Sequence, residues 1–251
     1  MPLEIKDQAI LITGAGRGLG RSLALHLAGL GAAVGITDID AAACDDTLRA
    51  IVETGGTAFT YTADVGKRDA FLDVAKGFAQ DAGRLDAVVN NAMILRYEPI
   101  EQVREDVADA MMSVGLKAAL WGAQALLEHY DPERGGALIN MASPVANRGY
   151  PGTSVYSLVK GGLVSLTKVL AAELGPRGIR VNAVSPGSVP TPGALGLNDP
   201  AVYEQRSRTI PLRRLGREDD NSQAIAFLLS PQASFINGEV LNVDGGIAAA
   251  G

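Results

Sequence analysis

Short apolar segments alternate along this chain with longer segments whose apolar residues recur at helical spacing. Several short segments are apolar at nearly every position, as expected of strands covered on both faces of a sheet. The predicted strands are Ala9–Thr13, Ala33–Thr37, Ala58–Thr62, Ala87–Asn90, Ala137–Met141, Arg180–Ser185 and Val240–Val243. The predicted helices are Leu19–Leu30, Ala41–Thr54, Asp69–Ala82, Ile100–Tyr130, Ser154–Leu174 and Glu218–Leu229. This alternation favours right-handed βαβ units in a doubly wound, Rossmann-type α/β fold, with a mostly parallel seven-stranded sheet and helices on both faces.

The length of 251 residues fits one α/β domain, and no linker, repeat or low-complexity segment divides the chain. We therefore predict a single domain over residues 1–251. One long segment, Pro186 to Gly216, contains five prolines and no clear strand. Because a long irregular segment in a compact domain is usually functional, we expect a substrate lid near residues 187–216.

Charge and composition exclude several classes of protein. The net charge is −6 and the pI about 5.0, so the chain lacks the basic surface that binds nucleic acid or anionic membranes. Cys44 is the single cysteine, and His26 and His129 lie far apart, so we predict neither a disulfide nor a metal site. We see no apolar leader and no run of membrane-spanning length, and we expect a cytoplasmic protein without a membrane partner.

A glycine-rich turn, Thr13-Gly14-Ala15-Gly16-Arg17-Gly18-Leu19-Gly20, joins the first predicted strand to the first predicted helix. Glycines there let the backbone approach a pyrophosphate, whose charge then lies at the helix N-terminus. The spacing differs from G-x-G-x-x-G, and a plain βα turn would also use glycine. Asp38, however, ends the second strand about 20 residues further on, where an acidic residue accepts hydrogen bonds from an adenosine ribose. Together these features indicate a dinucleotide site.

With its later motifs, the chain resembles the short-chain dehydrogenase/reductase family in its single-domain form, over nearly its whole length. The turn fits that family's T-G-x-x-x-G-x-G, and Tyr156 with Lys160 fits its Y-x-x-x-K. Ser143 precedes Tyr156 by the family's usual thirteen residues. The other similar segments are Asp64-Val65, Asn90-Asn91-Ala92, Pro186-Gly187 with Thr191, and Asn242-Val243-Asp244-Gly245-Gly246. The resemblance implies a nicotinamide-dependent oxidoreductase.

The resemblance also implies which residues bind the cofactor. They are Gly14, Arg17, Gly18, Leu19, Gly20, Asp38, Asp64, Val65, Asn91, Ala92, Tyr156, Lys160, Pro186, Gly187, Val189 and Thr191. A carboxylate at Asp38 would accept two ribose hydroxyls of NAD and repel the 2′-phosphate of NADP. Arg17 argues the other way, because a basic residue in the turn could contact that phosphate. We expect NAD, with NADP the less favoured cofactor.

Four residues are assigned to catalysis: Ser143, Tyr156, Lys160 and Gly115. Tyr156 and Lys160 lie four apart on a predicted helix and so share a face. The Lys160 ammonium is expected to lower the pKa of the Tyr156 phenol, which then exchanges the proton of the substrate alcohol. Ser143 would hydrogen-bond the same substrate oxygen as charge develops on it.

Two positions depart from the family pattern. Gly115 stands where the family has a catalytic asparagine, and Met93 replaces the glycine that closes N-N-A-G. In the family that asparagine marks a helix kink whose backbone carbonyl holds a water on the proton path. Since glycine keeps the carbonyl, we expect activity to survive and Gly115→Asn to change kcat only a few-fold. The departures also leave open a weakly active or inactive NAD-binding protein that acts by interaction.

The substrate is expected to contact Met93, Ser143, Val145, Tyr150, Tyr156, Ser188 and Leu195. The surrounding loops are mostly apolar, and we interpret the nearby Arg96, Arg148 and Arg206 as solvated. This favours a neutral, moderately hydrophobic cyclic or aryl secondary alcohol, or its ketone. The main alternative is a 3-oxoacyl thioester on an acidic carrier protein, against which the acidic cluster Glu128, Asp131 and Glu133 counts. A third interpretation, a sugar-nucleotide epimerase or dehydratase, is disfavoured because this chain has no convincing C-terminal substrate domain after Lys160.

The resemblance further implies a homotetramer. The predicted helices Ile100–Tyr130 and Ser154–Leu174 correspond to those that pair between subunits in the family. Trp121, Leu163, Val164 and Leu170 could form that contact, although covering the sheet would explain them equally well.

Overall fold

A computed structural model describes residues 3–195 and 200–250. Its seven parallel strands form one sheet in the order β3-β2-β1-β4-β5-β6-β7, which confirms the predicted doubly wound fold. The strands are β1 Ala9–Thr13, β2 Ala33–Asp38, β3 Thr57–Thr62, β4 Ala87–Asn90, β5 Gly136–Met141, β6 Ile179–Pro186 and β7 Val240–Val243. Each predicted strand lies within two residues of these bounds.

The helices cover both faces of the sheet. They are α1 Gly18–Gly29, α2 Ala41–Glu53, α3 Arg68–Ala82, α4 Glu105–Met112, α5 Ala118–His129, α6 Ser154–Leu174, α7 Pro192–Leu195, α8 Pro200–Thr209 and α9 Glu218–Leu229. Successive residues of a strand point to opposite faces. Accordingly, Ile10 and Ile12 join the core under α1 and α9, whereas Leu11 packs with Phe78 under α3 and α5. This two-sided burial explains why the strands are apolar at nearly every position.

The strand order reverses between β1 and β4, because the chain runs outward from β1 to β3 and returns to pair β4 with β1. A crevice opens at such a point beyond the carboxyl ends of the strands. The glycine-rich turn leaves β1 there, and Asn91-Ala92-Met93 leave β4 beside it. The fold thus brings together motifs almost eighty residues apart in sequence.

The single helix predicted over Ile100–Tyr130 is wrong in detail. A short 3₁₀ helix at Ile100–Gln102 ends where Val103 becomes extended, and α4 and α5 are joined by a π-helical turn at Ser113–Lys117. Gly115 is the buried residue of that turn. A π turn widens the helix locally, and glycine tolerates the irregular backbone.

The segment predicted as an irregular lid contains two helices, α7 and α8, in its described part. Residues 196–199 lie outside the described residues, and so do the side chains of residues 194, 195 and 200. The prediction of one domain with a lid near residues 187–216 stays a prediction.

Two helical stretches, Glu105–His129 and Ser154–Arg177, are long and apolar enough to span a membrane by length and composition. The expectation that no segment reaches this length was therefore wrong. Both stretches pack against the sheet, through α5 on β4 and α6 on β6. A core-covering helix of a soluble protein meets the same criterion, so its length and hydropathy alone do not indicate a membrane span.

Candidate active site

A cavity of about 1110 Å³ lies at the carboxyl ends of the strands, beside the β1–β4 reversal. Most residues assigned from the sequence line it: Gly14, Arg17, Gly18, Leu19, Asp38, Asp64, Val65, Asn91, Ala92, Met93, Ser143, Val145, Tyr150, Tyr156, Lys160, Pro186, Gly187, Ser188, Val189 and Thr191. Gly20 and Gly115 lie behind this wall and do not line it. The side chain of Leu195 lies outside the described residues.

The glycine-rich turn adopts a backbone that side chains would not tolerate. Gly14 and Gly18 have positive φ angles of 65° and 56°. A Cβ at Gly14 would lie 2.8 Å from Ala92 Cα, and a Cβ at Gly20 would lie 2.1 Å from Gly14 O. Gly20 therefore permits the close contact between α1 and the turn, rather than contact with a ligand.

Side chains from two strands hold this turn in place. The Oγ1 of Thr13 accepts hydrogen bonds from the backbone N–H groups of Asn91 and Ala92, each at 3.0 Å. The amide of Asn91 donates to Thr13 O at 2.9 Å and to Gly14 O at 3.0 Å. Asn91 thus braces the turn as well as lining the cavity, a role that its motif alone did not specify.

Asp38 occupies the end of β2 at the rim of the cavity. Its carboxylate accepts hydrogen bonds from Gly16 N at 3.1 Å and from Asp40 N at 3.2 Å. Arg17 donates to Asp40 Oδ2 at 3.4 Å. The fixed carboxylate, the close backbone of the glycine turn and the size of the cavity fit the adenosine and pyrophosphate of a dinucleotide.

Ser143, Tyr156 and Lys160 converge on one wall of the cavity. Ser143 follows β5 and caps the 3₁₀ helix Pro144–Ala146, while Tyr156 and Lys160 lie one turn apart on α6. Lys160 is buried, and its Nζ donates to Met141 O at 2.5 Å and lies 5.5 Å from the centroid of the Tyr156 ring. The carbonyl of Met141 is a partner that the sequence analysis missed, because backbone groups leave no motif.

The expectation that Lys160 lowers the pKa of Tyr156 was wrong for this geometry. Burial and the neighbouring Tyr97 raise the pKa of the Tyr156 phenol, and a hydrogen bond with Ser143 only partly opposes them. Burial lowers the pKa of Lys160 from 10.5 to about 8. At neutral pH the phenol therefore carries its proton.

Tyr97 is a further residue that the sequence analysis missed. Its ring lies edge-on to Tyr156, with 5.7 Å between the ring centroids, and it lines the cavity. Partial desolvation raises the pKa of its phenol, since 37% of the residue is still exposed. The signal in the sequence was weak, because Tyr97 lies in a loop without helical or strand spacing.

The two departures from the motifs meet in space. A Cβ at Gly115 would lie 2.4 Å from Met93 Sδ and 2.7 Å from Val159 Cγ1. An asparagine therefore has no room at position 115 while Met93 and Val159 keep their places. The expectation that Gly115→Asn changes kcat only a few-fold stays a prediction, and this contact counts against it.

The three arginines near the substrate end differ. Arg96 is exposed and pairs with Glu98, and Arg148 donates to Ile247 O at 3.1 Å. Arg206 lies on α8, lines the cavity and stacks over the Tyr203 ring, with 5.8 Å between its Cζ and the ring centroid. The interpretation of Arg206 as a solvated loop residue was therefore wrong.

A family model described as enoyl-(acyl carrier protein) reductase matches residues 14–248. The 3-oxoacyl-[acyl-carrier-protein] reductase of Thermotoga maritima is 35% identical over 245 residues, covering 98% of this chain and 99% of that protein. The 4-formylbenzenesulfonate dehydrogenase of Comamonas testosteroni is 36% identical over 249 residues, covering 97% and 99%. These similarities extend over almost the full length of each chain.

Solved structures of similar proteins also match almost the whole chain. A short-chain dehydrogenase/reductase from Serratia marcescens has a TM-score of 0.91 at 30% identity, covering 97% of this chain and 99% of that one. A 3-ketoacyl-(acyl-carrier-protein) reductase from Brucella melitensis, complexed with NADH, has a TM-score of 0.90 at 34% identity, covering 98% and 100%.

Proposed function

The chain belongs to the short-chain dehydrogenase/reductase family, and on that premise we propose that it is an NAD-dependent enzyme that interconverts a secondary alcohol and its ketone. The convergence of Ser143, Tyr156 and Lys160 on one cavity wall carries this proposal. A protein that only bound the dinucleotide would not need these proton-transfer groups at one wall.

Each residue has a role that its position supports. The Oγ of Ser143 holds the substrate oxygen, and the phenol of Tyr156 gives it a proton in reduction or takes one in oxidation. At neutral pH the phenol is protonated and so can give a proton in reduction, but burial raises its pKa and makes it a weaker acid. Lys160 is held beside Tyr156 by its hydrogen bond to Met141 O. By resemblance, it also binds the nicotinamide ribose. The cofactor supplies the hydride when bound.

The preference for NAD rests on the electrostatics at the rim. By the resemblance, the 2′-phosphate of NADP would lie beside the Asp38 carboxylate, which is unfavourable by about 1–4 kcal/mol near a surface. The guanidinium of Arg17 pairs with Asp40 rather than lying free for a phosphate. The ratio of kcat/KM for NADH over NADPH tests this preference, and a ratio below one contradicts it.

The substrate class follows from the walls beyond Ser143. Met93, Ile94, Leu95 and Val145 make this end mainly apolar, which favours a moderately hydrophobic cyclic or aryl ketone. The 4-formylbenzenesulfonate dehydrogenase acts, by its name, on an aryl carbonyl compound. Arg206 lines the cavity and could pair with an anionic substrate. The activity assay therefore uses a panel of compounds in which each neutral aryl ketone is paired with its carboxylate analogue.

The second candidate is reduction of a 3-oxoacyl thioester on a carrier protein, which the names of two relatives favour. The acidic cluster Glu128, Asp131 and Glu133 does not argue against it after all. That cluster directly precedes β5 and so lies at the amino ends of the strands, opposite the cavity. An acidic carrier docked at the cavity mouth would not meet it.

Steady-state rates with NADH decide between these functions. Ketone reduction predicts higher kcat/KM for an aryl or cyclic ketone than for a 3-oxoacyl thioester, and a clear thioester preference would reverse the assignment. Binding of NADH without turnover of any compound in the panel would instead identify an inactive dinucleotide-binding protein.

The homotetramer remains part of the proposal. Leu163 and Leu170 are buried within the chain and so offer little surface to a contact between subunits. Large apolar side chains do remain exposed on the same helices, at Leu120, Leu158 and Val169. Light scattering after gel filtration gives the mass in solution.

A further inference from the structure

The contact at Gly115 joins three parts of the molecule. Met93 comes from the loop after β4, Gly115 from the π turn between α4 and α5, and Val159 from α6. The sulfur of Met93 and a methyl group of Val159 occupy the space in which a side chain at position 115 would begin. We refer to Met93, Gly115 and Val159 as the packing joint.

The packing joint is tight on both sides of the π turn. The next residue, Leu116, lies against Gly162 on α6, where a Cβ would be 3.0 Å from both of its terminal methyl carbons. Gly115 and Val159 are both buried. Interiors packed this closely transmit a change of volume to their neighbours instead of absorbing it.

The packing joint is also next to the catalytic groups. Val159 directly precedes Lys160 on α6, three residues after Tyr156. Met93 lines the cavity and contacts the π turn from the same side chain. A shift of α6 relative to the π turn therefore moves Tyr156 and Lys160 relative to the cavity.

We propose that Met93 is a positioning residue for catalysis: its thioether packs over Gly115 and, with Val159, fixes the distance between α6 and the π turn and hence the position of Tyr156. The volumes at positions 93 and 115 are then interdependent, so that a larger residue at 115 requires a smaller one at 93. The kinetic part of this inference rests on the proposed function, whereas the packing part does not.

A double-mutant cycle on Met93→Ala and Gly115→Ala tests the interdependence. Alone, Gly115→Ala should lower Tm and reduce kcat by about tenfold, because its methyl group overlaps the sulfur of Met93. When Gly115→Ala is combined with Met93→Ala, much of the lost Tm and kcat should be recovered, although Val159 still limits the space. Gly161→Ala is the matched control on α6, where a Cβ meets nothing within 4 Å, and it should leave Tm and kcat nearly unchanged.

The outcomes separate the two proposals. Additive changes in Tm in the cycle would overturn the packing joint, since uncoupled sites add. Coupled Tm values with uncoupled kcat values would reduce Met93 to a structural role and overturn its positioning role. Coupled Tm values in a protein without turnover would keep the packing joint and reject the enzyme activity.

If Gly115→Ala does not fold, Met93→Ala alone still tests the positioning role, because it removes volume and creates no overlap. Positioning predicts a lower kcat that recovers in Met93→Leu, and the loss of the wall contact adds a rise in substrate KM. A rise in KM alone would make Met93 a wall of the substrate pocket and nothing more.

Discussion

The two ends of the cavity are built in different ways. At the cofactor end, glycines with positive φ, the Thr13 hydroxyl and the Asn91 amide fix the backbone through short hydrogen bonds. At the substrate end, the walls are side chains from the loop after β4, the segment after Ser143 and the described part of the segment 187–216. Backbone geometry thus shapes the cofactor end, while side-chain volume shapes the substrate end.

The largest expected effect is at Tyr156, where the cofactor end meets the substrate end. Tyr156→Phe keeps the ring but removes the transferable proton, so kcat should fall by at least ~10²-fold. The dissociation constant for NADH, measured by fluorescence titration, should change less than about twofold, because the glycine turn, Asp38 and Lys160 are unchanged.

Tyr97→Phe is the matched control for this substitution. It removes a hydroxyl from the ring beside Tyr156 while keeping the edge-on contact between the rings. Its kcat should therefore stay within a few-fold of the native value. Near-native turnover by Tyr156→Phe would remove Tyr156 from the mechanism.

A second prediction breaks the cofactor end alone. In Gly20→Ala the new methyl group would lie 2.1 Å from Gly14 O, so the turn must move away from α1. NADH binding should weaken by at least about tenfold and Tm should fall.

Gly29→Ala places the same methyl group on the same helix, α1, where nothing lies within 4 Å of it. Its NADH affinity and Tm should match those of the native protein or exceed them slightly, because alanine favours a helix more than glycine does. Equal losses in both variants would mean that helix propensity, not the fit of the turn, sets the effect.

A third prediction concerns the rim. Asp38→Ser removes the carboxylate that we propose faces the ribose, while leaving a small polar side chain. The ratio of kcat/KM for NADPH over NADH should rise by about tenfold, the size of effect expected when one nearby charge is removed at a surface. An unchanged ratio would show that Asp38 supports the turn through Gly16 and Asp40 without selecting the cofactor.

The glycine turn and the position of Asp38 at the cavity could be predicted from the sequence, because both depend mainly on local residue types. Gly14, Gly18 and Asp38 have residue types that the turn and the ribose require, and the order of the strands brings Asn91 beside them. The seven strands were equally predictable, since burial on both faces makes them apolar throughout.

The substrate end and the long helix could not be predicted as well. The break at the π turn depends on how closely Gly115 approaches Val159 and Met93, which are distant in sequence. The raised pKa of Tyr156 likewise depends on burial and on Tyr97, and neither follows from the spacing of Tyr156 and Lys160. Tertiary packing set these features, so a local motif did not contain them.

The smallest expected effect concerns stability, at Lys160, where the two ends meet. Burial lowers the pKa of Lys160 in the folded protein to about 8, below its ordinary value of 10.5. Below pH 8 both the folded and the unfolded chain hold the proton, and the folded state carries the full cost of the buried charge. Between these two pKa values the folded state releases the proton first, so this group makes the free energy of unfolding rise with pH.

Lys160→Met, which keeps the length of the side chain but does not titrate, is the comparison. The difference in the free energy of unfolding between the native protein and this variant should shift in favour of the native protein from pH 7 to pH 9.5. At pH 9.5 about a quarter of a tyrosine with the ordinary pKa of 10.0 is ionised in the unfolded chain, whereas burial keeps the phenol of Tyr156 neutral in the folded protein. Both proteins contain Tyr156, so this contribution cancels in their difference. Urea unfolding at each pH gives the values. Parallel curves for the two proteins would mean that Lys160 keeps an ordinary pKa through its bond to Met141 O, and the cavity wall would then carry a full positive charge at pH 9.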